Sequence, residues 1–179
     1  MKNVLIAYAT WSGTTREVAE RISNNFQQDY HIEIKQVKEV VSIETYDAIV
    51  IGTSIHAGLT NNHFRKFLNK FNQLLSAKPL SIFVVCANMM DDNEHNILET
   101  QKWLDKVLNK YPDLSPFSVG LFGGAVLTET PEFKKSNFLV KKVIYAMKNK
   151  MQEDFGKYDF RDWDKIDKWS RELKEKIGE

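Results

Sequence analysis

Short apolar runs alternate with longer segments in which apolar residues recur every three or four positions, from one end of the chain to the other. Residues 4–9, Val-Leu-Ile-Ala-Tyr-Ala, form a short apolar run closed by small polar residues, which predicts a buried strand. From Arg16 onward Val18, Ala19, Ile22 and Phe26 fall at helical spacing. Residues 31–37 alternate in the manner of an edge strand. Residues 46–51 read as continuous and apolar, as a central parallel strand does. A helix follows with Phe64, Phe67, Leu68, Phe71, Leu74 and Leu75 on one face. Pro79 opens a fourth strand over 80–87, closed by residues 88–93, and Ile97, Leu98, Leu104, Val107 and Leu108 mark another helix. Residues 117–122 are a fifth strand, ended by Gly123-Gly124, and the last helix carries Trp163, Ile166, Trp169 and Leu173.

Strands alternating with helices predict an α/β fold: a doubly wound, five-stranded parallel sheet, order 2-1-3-4-5, with helices on both faces. In such sheets ligands bind beyond the carboxyl ends of the strands, where the chain order reverses. For this order that point lies between the first and third strands. Their turns, residues 10–15 and 52–58, are the two richest in Gly, Ser and Thr. There is no internal repeat and no low-complexity linker, so residues 1–179 read as one domain with an insertion at about 128–156.

Composition narrows the function classes. The net charge of +1 gives no general pull toward nucleic acid. Cys86 is the only cysteine; it sits in an apolar run and reads as a buried structural thiol. The four histidines (31, 56, 63, 95) form no metal-ligand spacing, and no metal is expected. With no signal peptide and no apolar run near the about 20 residues a membrane span requires, the expected location is cytoplasmic.

The loop Thr10-Trp11-Ser12-Gly13-Thr14-Thr15 joins an apolar strand to a helix. Such a junction gathers free backbone N–H groups and the positive end of a helix dipole, which suits a phosphate. The hydroxyls of Thr10, Ser12, Thr14 and Thr15 add donors, and no lysine or arginine lies inside the loop. A triphosphate loop would need a Gly-Lys-Ser/Thr ending, and a dinucleotide site three glycines; neither is present. A monophosphate ester held by neutral donors remains, with a plain helix-capping turn as the alternative.

Thr10-x-Ser12-Gly13-x-Thr15 resembles the phosphate loop of the flavodoxins, which bind FMN. Tyr46-Asp47 followed by Val50-Ile51-Gly52-Thr53-Ser54-Ile55 is similar to their third strand and second flavin loop. A closer resemblance is to the bacterial flavodoxin-like protoporphyrinogen dehydrogenases that pass electrons to menaquinone. It rests on residues 48–58, the Gly124-Ala125 step and a basic helical insertion before Asp162-Trp163-Asp164. His56 stands where those enzymes carry an arginine, and residues 91–94 are acidic where theirs are basic.

The resemblance implies FMN as cofactor, its phosphate on residues 10–15. It places Ser54, Ile55, His56, Ala57 and Gly58 along one side of the isoalloxazine ring, Ala87, Asn88, Met89 and Met90 along the other, and Gly123 and Gly124 nearby. Trp11 shields the ring or covers apolar neighbours; Asn88 bonds the pyrimidine edge or turns the chain. His56 is the one titratable candidate for a catalytic role, steering the flavin N1 charge or substrate protons, with a solvent-facing loop histidine as the alternative. The implied function is an FMN-dependent oxidoreductase that oxidises protoporphyrinogen IX or a similar reduced substrate and reduces a quinone. A flavodoxin-type electron carrier and a flavin-free binding module are the alternatives.

Between Phe133 and Met151 an apolar helical stripe is ringed by Lys134, Lys135, Lys141, Lys142, Lys148 and Lys150. Such a helix either packs on the sheet or lies on an anionic membrane surface. Phe138, Leu139, Lys141, Lys142, Ile144, Met147 and Lys148 are the expected contacts in the second case.

Overall fold

The computed structural model describes residues 1–26 and 29–178. Its elements run β1 (Lys2–Ala9), α1 (Thr14–Phe26), β2 (Tyr30–Gln36), β3 (Ala48–His56), β4 (Leu59–Thr60), α2 (Asn62–Ser76), β5 (Leu80–Cys86), α3 (Glu94–Leu108), β6 (Ser118–Gly123), α4 (Pro131–Lys135), α5 (Phe138–Phe155) and α6 (Trp163–Gly178). The sheet order is β2-β1-β3-β5-β6, all parallel, with β4 pairing antiparallel to β3. The five parallel strands thus have the expected order, and β2 lies at an edge as its alternation predicts.

Period-two alternation builds a core on each face. Leu5, Ala7, Ile49, Ile51, Ile82 and Val84 face one way, against Phe64, Leu68 and Leu75 of α2 and Leu104 of α3. Val4, Ile6, Val50, Phe83 and Val85 face the other, against Val18 and Ile22 of α1 and Ile166 and Leu173 of α6. Strands buried on both faces read as continuous apolar runs, which is why β1, β3 and β5 stand out in the sequence.

The third strand differs from expectation. It continues through Gly52, Thr53, Ser54 and Ile55 to His56, and the turn shrinks to Ala57-Gly58, closing a hairpin in which His56 pairs with Leu59. Both turn residues have positive φ, 48° at Ala57 and 74° at Gly58, the handedness that two-residue hairpin loops favour.

The expected insertion forms α4 and α5, held by a small satellite core of Val126, Phe133 and Ile144, with Val140, Met147, Met151 and Tyr158 against it. Three of the residues named as membrane contacts, Ile144, Met147 and Lys148, face this core instead. Ile144 is buried, Met147 packs inward, and Lys148 donates to Thr128 Oγ1 at 2.9 Å while its ammonium lies 4.3 Å from the Tyr158 ring centre. Phe138, Leu139 and Lys142 remain exposed and Lys141 is partly buried.

Candidate functional site

Strand register decides where the loops meet. Ala9 pairs with Thr53, Ile55 with Cys86, and Cys86 with Gly123, so four strands end at one edge of the sheet. A cleft there is lined by Thr10, Trp11, Ser12, Thr14, Thr15, Ser54, His56, Ala87 and Gly124, all predicted from sequence, together with Val85, Cys86, Ala125, Val126, Met147 and Met151.

The loop after β1 is held from inside and from outside. Gly13 has φ 93°, open to glycine at little cost, and its N–H donates to Thr10 Oγ1 at 3.0 Å. Thr14 Oγ1 donates to the Ala125 carbonyl at 2.8 Å, and Thr130 Oγ1, at the start of α4, donates to the Ser12 carbonyl at 2.5 Å. The first α1 hydrogen bond runs from Glu17 N to Gly13 O at 3.1 Å. The N–H groups of the turn before it have no intrahelical acceptor, as at any helix start.

Two hydroxyls in the cleft are telling. Thr15 Oγ1 and Ser54 Oγ are buried and bonded to nothing among the described residues. A buried hydroxyl without a partner costs about 1–3 kcal/mol, and an anionic or carbonyl-bearing ligand removes that cost. Among the described residues no cation lines the cleft, and Arg16, the first after the loop, is engaged elsewhere: its guanidinium bonds Glu132 at 2.8 Å and Glu20 at 2.7 Å. The cradle therefore consists of neutral donors and a helix dipole.

Trp11 and His56 stack over this cleft, ring centroids 4.5 Å apart and planes 20° apart. Burial pushes the His56 imidazole below its ordinary value of 6.5, so at neutral pH it is uncharged. A neutral imidazole donates one hydrogen bond and accepts another. Beyond the pair, Ala57, Leu59, Leu139, Val140, Val143 and Ile144 wall an apolar chamber of about 530 Å³ that shares Trp11, Ser12, His56, Ala125, Val126 and Met147 with the narrower cleft beside residues 10–15. A hydroxyl-lined end for a phosphate-bearing tail thus adjoins an apolar space walled by α5.

Several predicted residues lie elsewhere. Ile55 and Met89 are buried in the core on the α2/α3 side of the sheet. Asn88 Nδ2 donates to Asn96 O and Thr100 Oγ1, both at 3.1 Å, tying its loop to α3. Met90 is exposed outside the cleft lining. Gly123 faces the chain after α5: a Cβ there would stand 2.0 Å from the Phe160 carbonyl oxygen. Gly58 stands beside the Trp103 indole. Of the residues that sequence reasoning missed, Val85 and Cys86 end β5, while Ala125, Val126, Met151 and the outer brace Thr130 belong to the insertion and its approach; the Thr128 and Thr130 hydroxyls beside Gly124-Ala125 were the available signal.

A family model described as Flavodoxin domain matches residues 5–159. The chain belongs to the flavodoxin family. Solved structures with the same fold include a flavodoxin from Fusobacterium nucleatum bound to flavin mononucleotide (15% identity, TM-score 0.55, covering 98% of this chain and 99% of that one). A flavodoxin from the domain Archaea has 14% identity and TM-score 0.54, with 99% of each chain covered. The two-electron reduced flavodoxin of Megasphaera elsdenii has 15% identity and TM-score 0.53, with 66% of this chain and 84% of that one covered. No curated protein sequence matches the chain. Flavodoxins are FMN-binding redox proteins, and the neutral cradle with its two unpartnered hydroxyls fits a flavin monophosphate. Among the described residues no helix is long and apolar enough to cross a membrane, and no group of side chains could hold a metal ion.

Proposed function

We propose that this flavodoxin is an FMN-dependent oxidoreductase that takes hydrogen from a reduced, largely apolar ring compound, protoporphyrinogen IX foremost, and delivers it to a quinone. The observation that carries this reading is the chamber of about 530 Å³ walled by α5 beside Trp11 and His56. Its volume lies within the range of small-molecule sites, about 300–1,000 Å³. A carrier that meets protein partners needs only an exposed flavin edge, whereas α5 builds an apolar room next to it. With a formal net charge of +1 the chain also lacks the overall negative charge that steers association with basic partners.

When bound, FMN supplies the two-electron redox chemistry. The chain's own part is to bind, orient and exclude water. Thr15, Ser54 and the first N–H groups of α1 hold the phosphate end. Trp11 and His56 offer a flat aromatic surface at the junction of the polar and apolar spaces. Leu139, Val140, Val143 and Met147 keep water from the reacting face. In each turnover two hydrogens leave the donor and appear on the quinone as a quinol, so electrons and protons balance without a further reagent.

The test is anaerobic turnover of FMN-loaded protein with protoporphyrinogen IX and menaquinone, followed by porphyrin fluorescence and quinol formation. Porphyrin and quinol appearing together is the expected result. Flavin that accepts electrons from a chemical reductant and reduces menaquinone, yet yields no porphyrin, would remove this donor. Stepwise reduction in two separate one-electron waves would favour the carrier.

A further inference from the structure

We propose that the outer face of the first half of α5 docks on an anionic lipid bilayer and presents the mouth of the apolar chamber to it. The inner side of α5 is anchored: Val140, Ile144, Met147 and Met151 pack with Val126, Phe133 and Tyr158, so the helix lies lengthwise along the body. At about 3.6 residues per turn Phe138, Lys142 and Ala146 fall on the outer arc, and Leu139 and Val143 on the flank between it and the chamber. Phe138 is 76% exposed, Leu139 71% and Val143 58%, an apolar cluster at one end of the helix rather than scattered single residues. Leu139 and Val143 also line the chamber, so the cluster is continuous with its mouth.

Charge selects the occupant. From residue 133 to 152 the chain has six lysines and no acidic residue. Among the described residues no ion pair joins Lys135, Lys141 or Lys142 to a carboxylate; Lys134 lies 3.9 Å from Glu129, and Lys150 pairs with Asp154 at the far end of the helix. Every cation in the segment is lysine and none is arginine. Lysine is depleted and arginine enriched at protein interfaces, while lysines beside exposed aromatic and aliphatic side chains suit a helix lying in a headgroup layer. A bilayer with anionic headgroups meets both the charge and the apolar cluster. This inference goes beyond the proposed reaction and does not depend on the identity of the hydrogen donor.

Flotation of the FMN-loaded full-length protein with vesicles of phosphatidylglycerol and phosphatidylcholine, against phosphatidylcholine alone, at low and high salt, tests it. Binding only to anionic vesicles and only at low salt is expected. Replacing Lys135 and Lys142 together by alanine weakens partition by about 30-fold, from about 1 kcal/mol per lysine near a charged surface. Phe138→Ser reduces it further without lowering flavin content or melting temperature, since that side chain is largely exposed. Absence of binding to anionic vesicles at low salt, equal binding to both vesicle types, or wild-type partition by the lysine variant would each overturn the proposal, and none of these bears on porphyrin turnover.

Discussion

The indole of Trp11 and the imidazole of His56 lie face to face across the cleft, centroids 4.5 Å apart, although one leaves the end of β1 and the other ends β3. Burial makes the His56 cation costly, so its folded value is depressed below 6.5. The unfolded chain then binds the proton more readily than the folded one. His56 detracts nothing above about pH 6.5 and costs stability progressively as pH falls below it. Melting temperatures at pH 7.5 and 5.0 should fall less between the two for His56→Phe than for the wild type. An equal fall in both proteins would mean that the imidazole is protonated freely in the fold.

Thr15 Oγ1 is buried and unpartnered at the start of α1, so its hydroxyl is a liability unless a ligand meets it. Thr15→Val keeps the shape and removes that liability, and the flavin-free protein should be unchanged or about 1 kcal/mol more stable. FMN affinity should fall about 10- to 100-fold, the worth of one hydrogen bond to a charged group. Riboflavin, which lacks the phosphate, should bind both proteins alike. Fluorescence titration with the two flavins decides it; a parallel loss for both would move Thr15 away from the phosphate end.

Ala57 holds φ 48° in the two-residue turn between β3 and β4, a conformation that costs an ordinary L-residue about 1–2 kcal/mol. Asparagine tolerates it and commonly precedes glycine in such hairpins. Ala57→Asn should therefore raise stability by about 1 kcal/mol, roughly 2–4 °C in melting temperature for a chain of this size. A lower melting temperature would indicate that the turn relaxes to another form.

Which parts of this structure were legible in the sequence follows from which residues are constrained by a single rule. The apolar runs at residues 4–9 and 80–86 are short and flanked by turn residues, as strands buried on both faces are, and their alternation with helices predicts a doubly wound parallel sheet. The phosphate loop was legible because Ser, Thr and Gly crowd a strand-to-helix junction. The end of β3 was not, because Gly52 reads as a turn residue. In the structure Gly52 is small because the Phe83 ring lies over it: a Cβ would stand 2.1 Å from that ring. Once β3 is extended, strict alternation sends Ile55 into the core and leaves Ser54 and His56 toward the cleft. The rotation of α5 was illegible for a different reason. Phe138, Leu139, Val140, Val143, Ile144 and Tyr145 cover most of its circumference, so periodicity alone does not say which side faces the body, and Lys148 turns inward only because Thr128 and Tyr158 receive it.

Arg161 carries the last prediction because it links the cleft wall to the body of the fold. Its side chain is only 6% exposed, lies over the Trp163 ring at 4.6 Å, and bonds Glu17 of α1 at 2.7 Å and Asp159 at 2.5 and 2.9 Å. Burial works against both charges of the Asp159–Arg161 pair, yet their mutual bonds prevail: Asp159 is held below and Arg161 above its ordinary value. Asp159 in turn bridges to Ala125, Val126 N donates to the Tyr158 carbonyl at 2.9 Å, and Phe160 N donates to the Gly124 carbonyl at 3.0 Å. The segment that walls the cleft is thus fastened to the one that Arg161 fastens to α1. Removing a buried guanidinium from its carboxylates costs about 3–5 kcal/mol where both partners are sealed. Glu17 and Asp159 are each more than a third solvent-exposed on their side chains (34% and 39%), or close to it, so about 2 kcal/mol is expected here. Arg161→Ala should lower the melting temperature by about 4–8 °C and weaken FMN binding as well, although Arg161 does not line the cleft. Lysine cannot reproduce the two-pronged grip on Asp159 while reaching Glu17, so Arg161→Lys should recover only part of either loss. Thermal melts and flavin titrations on the two variants check this; a lower melting temperature with unchanged FMN affinity would show that residues 124–126 keep their place without the 158–160 segment.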